Sequence, residues 1–233
     1  MTDSNYESID EAICAYIDKG SYNSKKEFWS VSSLGRCKRQ QYLRRSGVSG
    51  VFTVSYSSRM QAYDGDGIHA KIQSALQKMG VLVNAEETIT NIPLQLRGRY
   101  DALVMLKSGL CLMDIKTQNQ KAWARRKKKG VRSADAHHRR QVLAYLYLLK
   151  EHYPDLKDAR IYYVNRNTGE REEFRLAITE EDTKSILAEL QDLNRHWADQ
   201  TLPPLTEDAN DCQFCEFSST CYGNSPVPKG RYF

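Results

Sequence analysis

Between residues 81 and 117 the hydrophobic period changes from helical to strand-like, and that switch limits the possible folds more than any other feature of the chain. "VLVNAEETIT", "LQLRGRYDALVML" and "GLCLMDIKT" are β-rich runs divided by turn signals at Asn91 to Pro93 and at Lys107 to Gly109, which predicts an antiparallel meander. Helices come first: "SIDEAICAYIDKG" with Ser8 as cap, then "SVSSLGRCKRQQYLRRSG", capped by Ser32 or Ser33 and stopped by Gly47. A third, "GIHAKIQSALQKMG", places Ile68, Ile72, Ala75, Leu76 and Met79 on one face. After the strands come a long helix, "ADAHHRRQVLAYLYLLKEHY", two more strands, "ARIYYVNRN" and "REEFRLAIT", and a helix from about Glu180 to Asp199 opened by Thr179. The order predicts an α/β or α+β sheet flanked by helices.

A length of 233 residues suffices for one large domain with a small appendage. The boundaries read as a helical region (1–66), a core (67–200) and a cysteine-bearing segment with a tail (201–233), together one compact domain. The polar start and the tail "PKGRYF" read as fraying ends. No apolar run approaches ~18 residues and no export signal opens the chain, so neither a membrane nor a secreted protein is expected, and a cytoplasmic one is. In a reducing cytosol, clustered cysteines point to metal rather than to disulfides, and three of the six cluster: Cys212, Cys215 and Cys221 in "DCQFCEFSSTC". Cys14 and Cys111 sit in apolar patterns and read as small core residues. A net charge of +5 permits a polyanionic partner without proving one.

Charge inside an apolar strand is costly unless partnered. Asp101 falls in one such run, Asp114 and Lys116 in the next. Alternation puts Asp114 and Lys116 on one face about 6 to 7 Å apart, where Asp101 can meet them across the ladder. Two carboxylates and the carbonyl of Ile115 suit a hard divalent cation such as magnesium, with the lysine beside it; a buried salt bridge is the other reading, and spacing alone leaves both open. His69, at the edge of the apolar stripe, reads as a structural histidine or a nitrogen ligand. Gln141 and Tyr145 share a helical face one turn apart.

The segment "KAWARRKKKGVR" holds seven Lys or Arg and no acid. It reads as a solvated loop or as a strip for single-stranded DNA, with Arg125, Arg126, Lys127, Lys128 and Lys129 on phosphates and Trp123 stacking on a base. Arg36, Lys38, Arg39, Arg44 and Arg45 form a second basic patch.

Read in order, His69, Asp101, Asp114-Ile115-Lys116 and Gln141-x-x-x-Tyr145 resemble the motif series of the RecB-type branch of the PD-(D/E)XK nucleases. Cys37 in "SSLGRCKRQQYL" and the C-x2-C-x5-C of "CQFCEFSSTC" resemble the iron-sulfur members of that branch, above all the stand-alone CRISPR-associated nucleases of spacer acquisition. The likeness runs from about Cys37 to Cys221. Tyr100 stands where the superfamily name has proline, and Asp114 where many relatives have Glu. Spacing leaves zinc and iron-sulfur open; the resemblance implies a 4Fe-4S cluster on Cys37, Cys212, Cys215 and Cys221. It further implies His69, Asp101 and Asp114 as ligands for magnesium or manganese, Lys116 as catalytic lysine, and Gln141 and Tyr145 supporting the site and contacting DNA. The expected activity is metal-dependent exonucleolytic degradation of single-stranded DNA, with the spacer integrase as a partner. Two other readings stay open: the same chemistry in phage or cellular recombination and repair, and a non-catalytic cysteine-metal scaffold for DNA ends.

Overall fold

The computed structural model describes residues 8–18, 25–50, 56–128, 133–156, 158–206, 211–212, 215–223 and 225. Lys129 and the tail "PKGRYF" lie outside them. Helix α1 (Ile9–Asp18) starts where Ser8 Oγ accepts the Glu11 amide at 3.0 Å, as its sequence predicts. The second predicted helix divides. Val31–Ser33 form a 3-10 turn, Gly35 takes φ +78°, and α2 (Lys38–Ser46) begins only after Cys37. A left-handed glycine interrupts the helix, so neither Ser32 nor Ser33 caps α2. Gly47 does stop it, at φ +75° with its N–H on the Arg44 carbonyl.

Helix α3 (Tyr56–Lys78) is longer than its apolar stripe suggests; Ile72 and Leu76 pack on the sheet, while Met79 lies past the helix end and is 77% exposed. The meander is corrected. Strands β2 (Leu82–Ala85), β3 (Thr88–Asn91), β4 (Leu96–Arg99), β5 (Ala102–Leu106) and β6 (Gly109–Gln118) follow one another, but the first two β-rich runs each split between sheets. One sheet has the order β1-β4-β3, where β1 is Trp29–Ser30; the other has β2-β5-β6-β7-β8, where β7 is Asp158–Asn165 and β8 is Arg171–Leu176. The breaks fall at Glu86, whose φ is +56°, and at Tyr100–Asp101.

Strands β6 and β7 run parallel from Cys111↔Asp158 to Gln118↔Asn165, and the crossover between them carries α4 (Gln120–Lys128) and α5 (Ala136–Leu149). Helix α6 (Glu180–Ala198) opens with a capping box between Thr179 and Asp182, and α7 (Ser218–Tyr222) follows near the C-terminus. The main core joins one sheet face to α5 and α6 through Leu103, Leu112, Leu143, Leu146, Ile161 and Leu190; Ala102, Val104, Cys111, Met113 and Ile115 cover the other face beneath α3. The result is an α/β fold of mixed sheets flanked by helices. No helix among the described residues is long and apolar enough to cross a membrane.

Candidate active site

The break between β4 and β5 positions Asp101. It is therefore not inside a strand: leaving the ladder turns its carboxylate back onto β6, where Oδ2 accepts the Ile115 amide at 2.6 Å. From α3, His69 Nδ1 approaches the same oxygen to 3.7 Å. Glu86 joins them, and ligand atoms of His69, Glu86 and Asp101 all lie within 4.8 Å of one another. Gln73 holds this group by donating to Glu86 Oε1 at 2.7 Å and to the Asp101 carbonyl at 2.9 Å. Sequence reasoning missed Glu86, although an acid interrupting an apolar β-run is the signal that singled out Asp101.

On β6, Asp114 is only 2% exposed. The Lys116 ammonium donates to Asp114 Oδ1 at 3.1 Å and to Gln141 Oε1 at 3.0 Å, so strand and helix α5 meet at the lysine. Asp114 Oδ2 lies 2.9 Å from the same ammonium, so the ion pair engages both carboxylate oxygens. Burial pushes both Asp101 and Asp114 above the ordinary carboxylate range; Lys116 opposes the rise in each, and the charge of Asp101 adds to it in Asp114. Burial and the Lys116 charge hold His69 below its usual value, leaving a neutral imidazole able to act as a ligand. Tyr145 donates to the Arg99 carbonyl at 2.8 Å, and Gly98 makes room for it: a Cβ there would fall 2.6 Å from Tyr145 Cε1.

One imidazole nitrogen and two carboxylates within a single coordination sphere are a donor set that fits a hard divalent cation. His69, Glu86 and Asp101 would hold it, with Asp114 paired to Lys116 beside them.

Cys37, Cys212, Cys215 and Cys221 line one pocket of about 300 Å³, partly open to solvent, with Asp211 and Tyr222. Asp211 Oδ2 accepts the Cys37 amide at 3.1 Å, and Tyr222 Oη is 3.4 Å from Cys212 Sγ. Burial raises the Cys37 thiol and pushes Cys215 up to about 11. The all-sulfur donor set fits a four-thiolate centre.

The basic segment is corrected. Residues 120–128 form helix α4 rather than a loop, and Trp123 is 2% exposed in the main core, so it presents no surface for a base. Arg126 is also buried: it donates to Glu172 and to the Ser133 carbonyl and lies over the Tyr163 and Phe174 rings. Lys127 pairs with Glu172 as well, while Arg125 and Lys128 stay exposed. The second patch is consumed internally. Arg36 donates to His137, Lys38 to Asp192, Arg39 to the Pro203 carbonyl, Arg44 to Glu216, and Arg45 is buried.

A family model described as the PD-(D/E)XK nuclease superfamily matches residues 31–222. The fold is similar to the crystal structure of SSO0001, at TM-score 0.58 and 18% identity over 94% of this chain and 98% of that one. It is also similar to LHK-Exo in complex with dAMP, at TM-score 0.55, and to the alkaline exonuclease LHK-Exo from Laribacter hongkongensis, at 0.54; each is 11% identical over 77% of this chain and 92% of that one. Among curated proteins none matches. The matched residues enclose the whole constellation from Cys37 to Cys221, and the chain belongs to the PD-(D/E)XK nuclease superfamily.

Proposed function

We propose that the chain is a cytoplasmic, magnesium- or manganese-dependent DNA exonuclease that degrades single strands, carries a structural 4Fe-4S cluster and serves CRISPR spacer acquisition beside the integrase. One observation carries the enzymatic part: Lys116 is clamped between Asp114 and Gln141 next to the convergent His69, Glu86 and Asp101. An ion pair between Lys116 and Asp114 alone gives no reason for His69, Glu86 and Asp101 to bring their ligand atoms within 4.8 Å of one another beside it.

When bound, the divalent ion would lower the pKa of a water and neutralise charge on the phosphodiester, with the Ile115 carbonyl as a further ligand. The protein does the positioning. The Lys116 ammonium, fixed by two acceptors, presents its remaining donor capacity to the attacking water or to a phosphate oxygen as charge develops. Gln141 orients that lysine from α5, and Tyr145 anchors the strand that leads to Asp101.

The cluster reading rests on the four-cysteine pocket and on the resemblance of the cysteine spacing to the iron-sulfur branch. Protein purified without oxygen should be brown and contain iron and labile sulfide; a colourless preparation with stoichiometric zinc rejects that part alone. End-labelled single-stranded and duplex DNA, incubated with magnesium or manganese, tests the catalytic part. Cleavage lost in Asp114→Ala and Lys116→Ala proteins that remain folded supports it, whereas DNA binding without cleavage favours the scaffold. Genomic proximity to integrase genes separates spacer acquisition from recombination or repair.

A further inference from the structure

Near the start of α5 stand two adjacent histidines with different surroundings. Both ring nitrogens of His137 are engaged: Nδ1 donates to the Leu34 carbonyl at 3.2 Å, and Nε2 accepts from Arg36 Nε at 2.9 Å. His138 uses only one of its two. Its Nδ1 lies 2.8 Å from the hydroxyl of Tyr163, a side chain with no exposed surface. That hydroxyl already accepts the Asp135 amide at 3.1 Å, so its own proton needs an acceptor, and among the described residues His138 Nδ1 is the one in reach. Tyr163 therefore donates to Nδ1, which fixes the neutral ring as the tautomer with its proton on Nε2. That Nε2–H has no hydrogen bond among the described residues and is open to solvent.

The unused donor lies beside the catalytic lysine. Gln141, whose Oε1 accepts from Lys116, follows His138 by three residues on the same helix, so their Cβ atoms are about 5–6 Å apart on one face. Burial, and next the Lys116 ammonium, hold His138 below the usual histidine value; His137 and Arg36 act in the same direction, and Asp135 opposes them. The ring is thus a neutral donor in the field of two cations, Lys116 and Arg36, where a negative group is favoured.

We propose that His138 is a strand-binding residue of the active site, donating from Nε2 to a non-bridging phosphate oxygen of the DNA held at Lys116. A preorganised donor of this kind needs no charge of its own, because the tyrosine behind it sets which nitrogen carries the proton. That the acceptor belongs to DNA rests on the nuclease reading; the tautomer and the open N–H do not.

Metal-free protein in a chelator is titrated with a ten-nucleotide thymidine strand over a range of salt, and cleavage with manganese is followed separately. His138→Leu should weaken binding about tenfold, the loss of one hydrogen bond to a charged acceptor. The salt slope should not change, since a neutral donor displaces no counterion. His138→Gln, whose amide N–H reaches toward the Nε2 position, should recover most of the affinity. Both variants deprive Tyr163 of its acceptor, so the difference between them reports on the Nε2 donor and not on packing. The tenfold difference should persist on an abasic strand, which keeps the phosphates; if it vanishes there, the acceptor is a base and the proposal fails. Should both variants unfold, NMR of the wild type labelled with nitrogen-15 histidine still decides: His138 should carry its proton on Nε2 and that signal should shift when strand is added. Strand binding as strong in His138→Leu as in wild type, equal weakening by Leu and Gln, no binding by wild type, or a proton on Nδ1 overturns the proposal and leaves His138 a structural partner of Tyr163. Wild type that binds the strand but cuts nothing with manganese sinks the nuclease reading and leaves the binding result standing.

Discussion

Asp114 and Asp101 are carboxyls that water would ionise easily and the fold does not, since burial pushes each up to about 6. The sign follows directly. With folded values above the ordinary ~3.9, the native state binds more protons than the unfolded state in that window, so their contribution to stability falls as pH rises through it. A divalent cation competes with those protons. We expect manganese to raise the Tm strongly at pH 8 and progressively less as pH drops through 6, with Asp114→Asn removing most of the pH dependence of that gain; a constant gain from pH 5 to 8 would place the cation elsewhere. Gly98 offers a steric test at the same scale. Gly98→Ala puts a methyl carbon 2.6 Å from Tyr145 Cε1 and 2.7 Å from its Oη. Overpacking of this kind costs about 1–3 kcal/mol, measurable by urea denaturation, and moving Tyr145 should lower cleavage as well.

Among the elements, α4 departs most from its sequence. Its basic run hides the two positions that face inward, Trp123 and Arg126, because the three apolar residues, Ala122 to Ala124, are consecutive and give no period to read. Trp123→Ala should cost about 3–5 kcal/mol in denaturant while leaving the single-strand affinity of the remaining folded protein unchanged. Neutralising exposed Arg125 and Lys128 should do the reverse: stability holds, and the salt slope of binding falls by about 0.7 for each lost phosphate contact. The same logic sorts what else was legible. Outside α4 most element types follow from periodicity, whereas the starts of α2 and α3 and the breaks within two β-runs do not, and Asp114, Lys116, Gln141 and Tyr145 meet because strand and helix spacing fix which face each occupies. Which strands pair does not follow, for a β-run carries no label of its sheet. Glu86 was missed for that reason, since its place in the site depends on a left-handed backbone at the point where one run divides between two sheets.

Across the whole molecule, the two ends of the chain are tied together by polar contacts as well as by the cysteine pocket. Gln40 and Arg44 on α2 both donate to Glu216, 176 and 172 residues away, and Asp211 accepts the Cys37 amide across 174. Closing a loop of that length costs on the order of 5 kcal/mol of chain entropy, more than one partly exposed ion pair returns. Arg44 and Gln40 hold Glu216 below the usual glutamate value, against the opposing effect of burial. Its contribution is therefore present above about 4.3 and is lost as pH falls through the folded value. Glu216→Gln should lower stability by about 1 kcal/mol at pH 7 and by less at pH 4. Cys212→Ser should do more, because in the proposed centre four thiolates would close the same loop with far stronger bonds. Limited proteolysis followed by mass spectrometry reads the difference: in Cys212→Ser the segment after α6 should be cut while the five-stranded sheet stays protected. If that segment resists proteolysis as it does in wild type, the polar contacts alone hold the ends, and the cysteine centre is not the clasp of the fold.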